Sequence, residues 1–185
     1  MIDATDKLAF QRRLNKVIGQ CNGILRMIGA NAPCTDTLLQ VSAAKNALHQ
    51  LGQIILDEYV AEAVKGAIEK KDAEAFSKDF GEIVACFCQT PTGKRAQVPT
   101  GTFEERIAKV IDQCTSVGQL IRTDGKRSEI LSQILLAKNA LHAFGQFLLE
   151  SFVSKTVAKA IEQGSAGVFS KDFTMAIASF CRMRK

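Results

Sequence analysis

From Lys7 to Ile28 apolar residues recur at intervals of three and four: Leu14, Val17, Ile18, Cys21, Ile24, Leu25 and Ile28. That spacing lays one apolar stripe along a helix and predicts a first helix over the segment. Gly29 to Pro33 then breaks it. A longer second helix is predicted from about Thr35 to Ile68, where Val41, Leu48 and Ile55 are spaced by seven and Leu38, Ala44 and Leu51 fill between. One short neighbour cannot cover so long a stripe, so this helix calls for a partner of its own length. A third helix of about 12 residues is expected after Ser77.

The same pattern returns 93 residues later. Ala44-Lys45-Asn46-Ala47-Leu48-His49 is matched by Ala137-Lys138-Asn139-Ala140-Leu141-His142, and Phe76-Ser77-Lys78-Asp79-Phe80 by Phe169-Ser170-Lys171-Asp172-Phe173. Without a gap, residues 10–89 and 103–182 are identical at 33 of 80 positions. The first helix of the second copy carries Ile107, Val110, Ile111, Cys114, Val117 and Ile121, opened by the capping-box pattern Thr102-Phe103-Glu104-Glu105. Asp124-Gly125 ends it, and the long helix follows from about Ser128 to Ile161 with Ile134, Leu141 and Leu148 spaced by seven. A short helix after Ser170 completes the copy. No stretch alternates with period two, so strands are not expected.

The predicted fold is all-α: two tandem three-helix units, residues 1–90 and 102–185, joined by a Pro- and Gly-containing linker over 91–101. Two long and two first helices, all amphipathic, are the inventory of an antiparallel four-helix bundle. Fusion would supply covalently what a homodimer gains by association. The bundle is expected to assemble further, as a homodimer of the fused chain that is a pseudo-tetramer.

Composition narrows the class. The 185 residues are 46% hydrophobic, with 11 Phe, 3 Pro and no Trp, which suits a globular core and excludes collagen-like and disordered chains. No apolar run reaches the roughly 18 residues of a membrane span, and the first residues lack a signal-peptide pattern, so a cytoplasmic protein without membrane contact is expected. The 6 Cys are scattered through helical patterns and are read as reduced thiols. Charge is uneven: residues 1–93 carry 10 basic and 11 acidic groups and residues 94–185 carry 14 and 8, so the second half is the basic one. That is compatible with a polyanionic partner.

Nucleophile elbows, phosphate loops, dinucleotide fingerprints and zinc-protease motifs are absent from the sequence, and no enzyme is expected. His49 and His142 are repeat-equivalent residues of the long helices, read as half-buried seam residues. Cys21 and Cys114 sit on the core stripes. Cys86-Phe-Cys88 is matched by Ser179-Phe-Cys181, so its first thiol is not kept. Cys34 follows Pro33 at the start of a long helix, where helix-end N–H groups favour a thiolate, and its counterpart is Arg127.

The run Arg13-Leu-Asn-Lys16-Val-Ile-Gly19-Gln20-Cys-Asn-Gly23-Ile, then Arg26-Met-Ile, then Cys34-Thr-Asp-Thr-Leu38-Leu-Gln40-Val-Ser-Ala-Ala-Lys45-Asn-Ala47-Leu48 resembles the copper-sensitive operon repressors, a family that includes nickel- and formaldehyde-responsive members. The second copy repeats it more weakly as Arg106-Ile-Ala-Lys109-Val-Ile-Asp112-Gln113. The resemblance implies a helical transcriptional repressor without a helix-turn-helix, which binds operator DNA and releases it when an inducer binds between units. It places DNA contacts at Arg13, Lys16 and Lys45, and through the repeat at Arg106, Lys109 and Lys138.

The metal site does not carry over. The positions 25 and 29 residues after Cys34, where metal-responsive relatives have His and then Cys or His, hold Tyr59 and Ala63, and their counterparts are Phe152 and Thr156. No metal and no cofactor are therefore expected. In the formaldehyde-responsive branch a single Cys is bridged by the aldehyde to an N-terminal amine, which leaves Cys34 as the sensing residue for a small reactive or organic inducer, beside Tyr59, Phe152 and Phe144. The rival expectation is an interaction or scaffold protein that kept the bundle and lost operator and inducer binding.

Overall fold

A computed structural model describes residues 4–70, 101–163 and 171–183. These form α1 (Ala4–Gly29), α2 (Cys34–Lys70), α3 (Phe103–Arg122), α4 (Arg127–Glu162) and α5 (Lys171–Met183), with no strand among the described residues. The chain is all-α, as the periodicity requires. The predicted third helix after Ser77, the linker up to Thr100 and the Cys86–Cys88 pair lie outside the described residues.

Helix ends follow local chemistry. Thr102 caps α3: its hydroxyl accepts from the Glu105 N–H, and the Glu105 carboxylate accepts from the Thr102 N–H at 2.9 Å, the reciprocal box read from the sequence. The breaks after α1 and α3 use one device in both copies. Asn31 and Asp124, 93 residues apart, adopt left-handed φ values of 51° and 52°. The next residue's N–H then closes back on the last turn, Ala32 to the Met27 carbonyl and Gly125 to the Leu120 carbonyl, each at 2.8 Å. Each long helix begins one residue earlier than its pattern suggests, at Cys34 and Arg127. The Pro33 carbonyl accepts the N–H groups of Asp36 and Thr37, so the first turn closes ahead of Thr35.

The four longer helices form a ring in the order α1, α2, α4, α3, with α2 and α4 making the largest interface, and α5 lies across both long helices. Ends identify direction. Lys7, near the start of α1, pairs at 2.6 Å with Asp124, just past the end of α3, and the Arg122 Nη1 donates to the Gln11 Oε1 at 3.0 Å, so α1 and α3 run antiparallel. Their approach is close: a Cβ on Gly118 would meet the Gln11 amide at 3.1 Å.

One core fills the ring. Leu14, Val17, Cys21 and Ile24 meet Ile107, Val110, Cys114, Val117 and Ile121, while Val41, Leu48, Leu51 and Ile55 meet Ile134, Ala137 and Leu141, all of them buried. Burying each such aliphatic side chain contributes about 1.5–3 kcal/mol, so the two stripes that no single unit could cover are what join the halves. Among the described residues no helix is long and apolar enough to cross a membrane.

Leu48 lies at the centre of this core, whereas Leu39, on the same helix, is 52% exposed. Leu48→Ala is expected to cost about 2–5 kcal/mol in urea unfolding. Leu39→Ala should stay within about 0.5 kcal/mol of the parent.

Candidate nucleic-acid interface and sensor position

The six cations do not share one environment. Arg13 and Lys16 on α1 and Lys109 on α3 are exposed. Because α1 and α3 are antiparallel and repeat-related, Lys16 and Lys109 occupy twofold-like positions along that pair. Arg106 departs from the expectation. It is 7% exposed, its guanidinium lies 3.7 Å from the centre of the Phe147 ring, and its Nε donates to the Gly101 carbonyl at 3.3 Å. Phe147 in turn packs on Phe103 with centroids 4.8 Å apart. The reason is in the neighbours: the counterpart of Phe147 is Ile54, which offers Arg13 no ring face to lie on. Arg106 is thus a packing residue in this structure rather than an exposed phosphate contact.

Lys45 and Lys138 belong to α2 and α4, the other side of the ring, and both are half-buried. Burial lowers the Lys45 pKa, and the nearby Lys138 charge lowers it further. His49, one turn on, is shifted down by burial, then by Lys138 and Lys45. Its counterpart His142 stacks on Phe180 of α5 with centroids 5.5 Å apart. The histidines are half-buried seam residues, as expected.

Cys34 is the first residue of α2, half-buried, and packs against the core, as does Phe152. Tyr59 also packs on the core but lies 25 residues further along the same helix, about 37 Å away at 1.5 Å per residue and between Glu58 and Glu62 at the Arg127 end, so it does not share the expected pocket with Cys34. Phe144 is fully in the core, edge-on to Phe103 at 5.8 Å. The expected thiolate is not favoured: burial pushes the Cys34 thiol up to about 11, outweighing the helix end. Cys21 rises to about 11 and Cys114 to about 12, the latter by burial and by its neighbour Cys21. Both are inert core thiols in this state.

Arg127, the counterpart of Cys34, bonds through Nη1 to the Oε2 of Glu62 on α2. The pKa of Glu58, one turn earlier, is raised by burial and by Asp6 and lowered by Arg127. Sequence reasoning noted Arg127 but missed this pair. Its one signal was that Glu58 and Glu62 are replaced by Ser151 and Lys155 in the second copy.

Two further features were also missed. A groove of about 710 Å³ runs between α1 and the start of α2, lined in part by Lys16, Gln20, Arg26, Met27 and Gln40. Another of about 620 Å³ is lined by Ser116, Gln119, Leu120, Thr123 and Gln133, all repeat counterparts of residues in the first. The side-chain oxygens of Gln20 and of its counterpart Gln113 are buried without a hydrogen-bond partner.

A profile of the metal-sensitive transcriptional repressor family matches residues 6–87, which fall within the first repeat. The copper-sensing transcriptional repressor RicR of Mycobacterium tuberculosis is 39% identical over 59 residues, 32% of this chain and 62% of RicR. Copper-sensing CsoR of Bacillus subtilis is 30% identical over 85 residues, 46% of this chain and 84% of that protein. CsoR of Mycobacterium ulcerans is 28% identical over 97 residues, 52% and 82%. No solved structure matches the chain. The chain belongs to the metal-sensitive transcriptional repressor family, whose members are repressors and not enzymes.

The residues described around Cys34 do not fit the metal that these relatives are named for. Among the described residues no three His, Cys, Asp or Glu side chains converge, and the positions 25 and 29 residues after Cys34 and their counterparts hold Tyr59, Ala63, Phe152 and Thr156, none of them a thiolate or imidazole donor.

With a thiol near 11, about one molecule in 10⁴ carries the thiolate at pH 7. Iodoacetamide labelling at Cys34, followed by peptide mapping, should therefore accelerate about tenfold per pH unit from 7 to 10. In urea the same site should level off near pH 9; a native profile that levels off at 9 would contradict the burial argument.

Proposed function

We propose that this chain is a DNA-binding transcriptional repressor in which one polypeptide supplies two repressor units, with operator affinity controlled at Cys34. The observation that carries the DNA reading is the exposure of Arg13, Lys16 and Lys109 on the antiparallel α1–α3 pair. Lys16 and Lys109 are related as the two strands of a duplex are, by an approximate twofold, and exposed cations on such a face suit phosphate contacts. Family membership supports repression.

The inducer is read as a small thiol-reactive electrophile such as an aldehyde. This rests on Cys34 as a half-buried thiol packed, like Phe152, against the apolar core, without converging metal donors among the described residues. The relatives' copper specificity makes copper(I) the competing inducer, and the experiment must include it. The chain is expected to act as a homodimer, which would bring four units to the operator.

Fluorescence anisotropy with the protein's own promoter, titrated with salt, tests the reading. Tight binding is expected, falling steeply with salt. Lys16→Ala with Lys109→Ala should reduce the slope of log Kobs against log salt by about two. Arg106→Ala should instead lower the thermal midpoint. Formaldehyde should release the operator from the parent and not from Cys34→Ser. Release by copper(I) that depends on Cys34 would replace the electrophile with a metal, and absence of promoter binding would leave the scaffold reading.

A further inference from the structure

Cys34 and Arg127 are the first residues of α2 and α4, 93 positions apart, yet they meet different surroundings. The Arg127 side chain is 15% exposed and bonds to Glu62 of α2, 65 residues away, with Glu58 one turn earlier also within reach of its charge. On α4 the counterparts of Glu58 and Glu62 are Ser151 and Lys155. No guanidinium–carboxylate tie can therefore form where Cys34 starts α2. The two ends of the α2–α4 seam are built differently: one carries an ion pair between the repeats, the other a thiol.

We propose that Arg127 is a specificity-determining residue that confines inducer control to one position per chain, by filling the second of two repeat-related positions and clamping that end of the seam to Glu62. The proposal rests on the reading of Cys34 as the sensing position. A guanidinium stays protonated, is no nucleophile and has no lone pair for a soft cation, so neither an electrophile nor copper can use the place it occupies. Its partner sits on the other repeat, so opening this end of the seam must separate the pair. The Glu62 side chain of the pair is 54% exposed, so salt is expected to weaken the contact. An inducer shifts a conformational balance only through contacts that differ between the states, and here the end free of the clamp is the one that carries the thiol.

Amide hydrogen exchange on the full chain tests the clamp without DNA. The first turns of α4 should exchange about two- to fivefold more slowly than those of α2, as suits a pair with a half-exposed carboxylate, and Arg127→Ala or Glu62→Gln should erase that difference. The charge-swapped double variant Arg127→Glu with Glu62→Arg should restore it, which a purely steric role for Arg127 would not. Equal exchange at the two helix starts in the parent would overturn the clamp, and so would protection retained in both single variants.

Operator release by formaldehyde then tests specificity. Moving the thiol, with Cys34→Ser, Arg127→Cys and Glu62→Ala together, should restore the response that Cys34→Ser removes. A relocated thiol that forms the adduct but leaves the operator bound would show that position 127 is not an equivalent site, which defeats the proposal. A parent that ignores formaldehyde would instead remove the electrophile reading, and the exchange data would still decide on the clamp.

Discussion

The α2–α4 seam is the contact on which the molecule depends. Each long helix carries a heptad-like apolar stripe that its own first helix covers in part, and the remainder is buried against the equivalent stripe of the other repeat. Leu48 and Leu141, together with the Val41 and Ile134 rows, fix the two long helices side by side. The α1–α3 pair closes the ring on the far side through Val17, Cys21, Val110 and Cys114. Because each half leaves an apolar face that the other half covers, the burial of each residue is set between repeats as much as within one.

That arrangement explains why equivalent residues behave differently. Packing two imperfect copies face to face gives each residue the partner copy's neighbours, and a single change on one side alters a site whose own residue is unchanged. Arg13 and Arg106 are the same residue at the same repeat position. One is exposed and the other lies on Phe147, where the first copy has Ile54 at the equivalent position. The same logic gives Cys34 and Arg127 their separate characters, with Glu62 present opposite one and Lys155 standing at the equivalent place.

Electrostatics and burial compete at the start of α2. A helix end attracts negative charge, but the effect falls off within a turn and is worth less than the cost of taking a thiolate out of water. Cys34 packs on the core, so desolvation wins and the thiol stays protonated at neutral pH. At neutral pH such a thiol is a weak nucleophile, because the thiolate is the reactive form. Lys45 shows the complementary case, where burial, joined by the charge of Lys138 across the seam, makes a cation less willing to hold its proton.

The one-dimensional pattern was enough for the helix class, the two breaks, the capping box at Thr102 and the helix lengths to within a few residues, because these depend on contacts inside one or two turns. Periodicity alone also demanded a second long helix, since an amphipathic stripe must be buried. Which cations stay in water, whether Cys34 ionises and that Arg127 reaches Glu62 were decided by the tertiary structure. Each depends on residues distant in sequence: Phe147 for Arg106, the packed ring around Cys34, and a carboxylate 65 positions away for Arg127. Burial and pairing are properties of neighbours, and a linear chain does not state who its neighbours are.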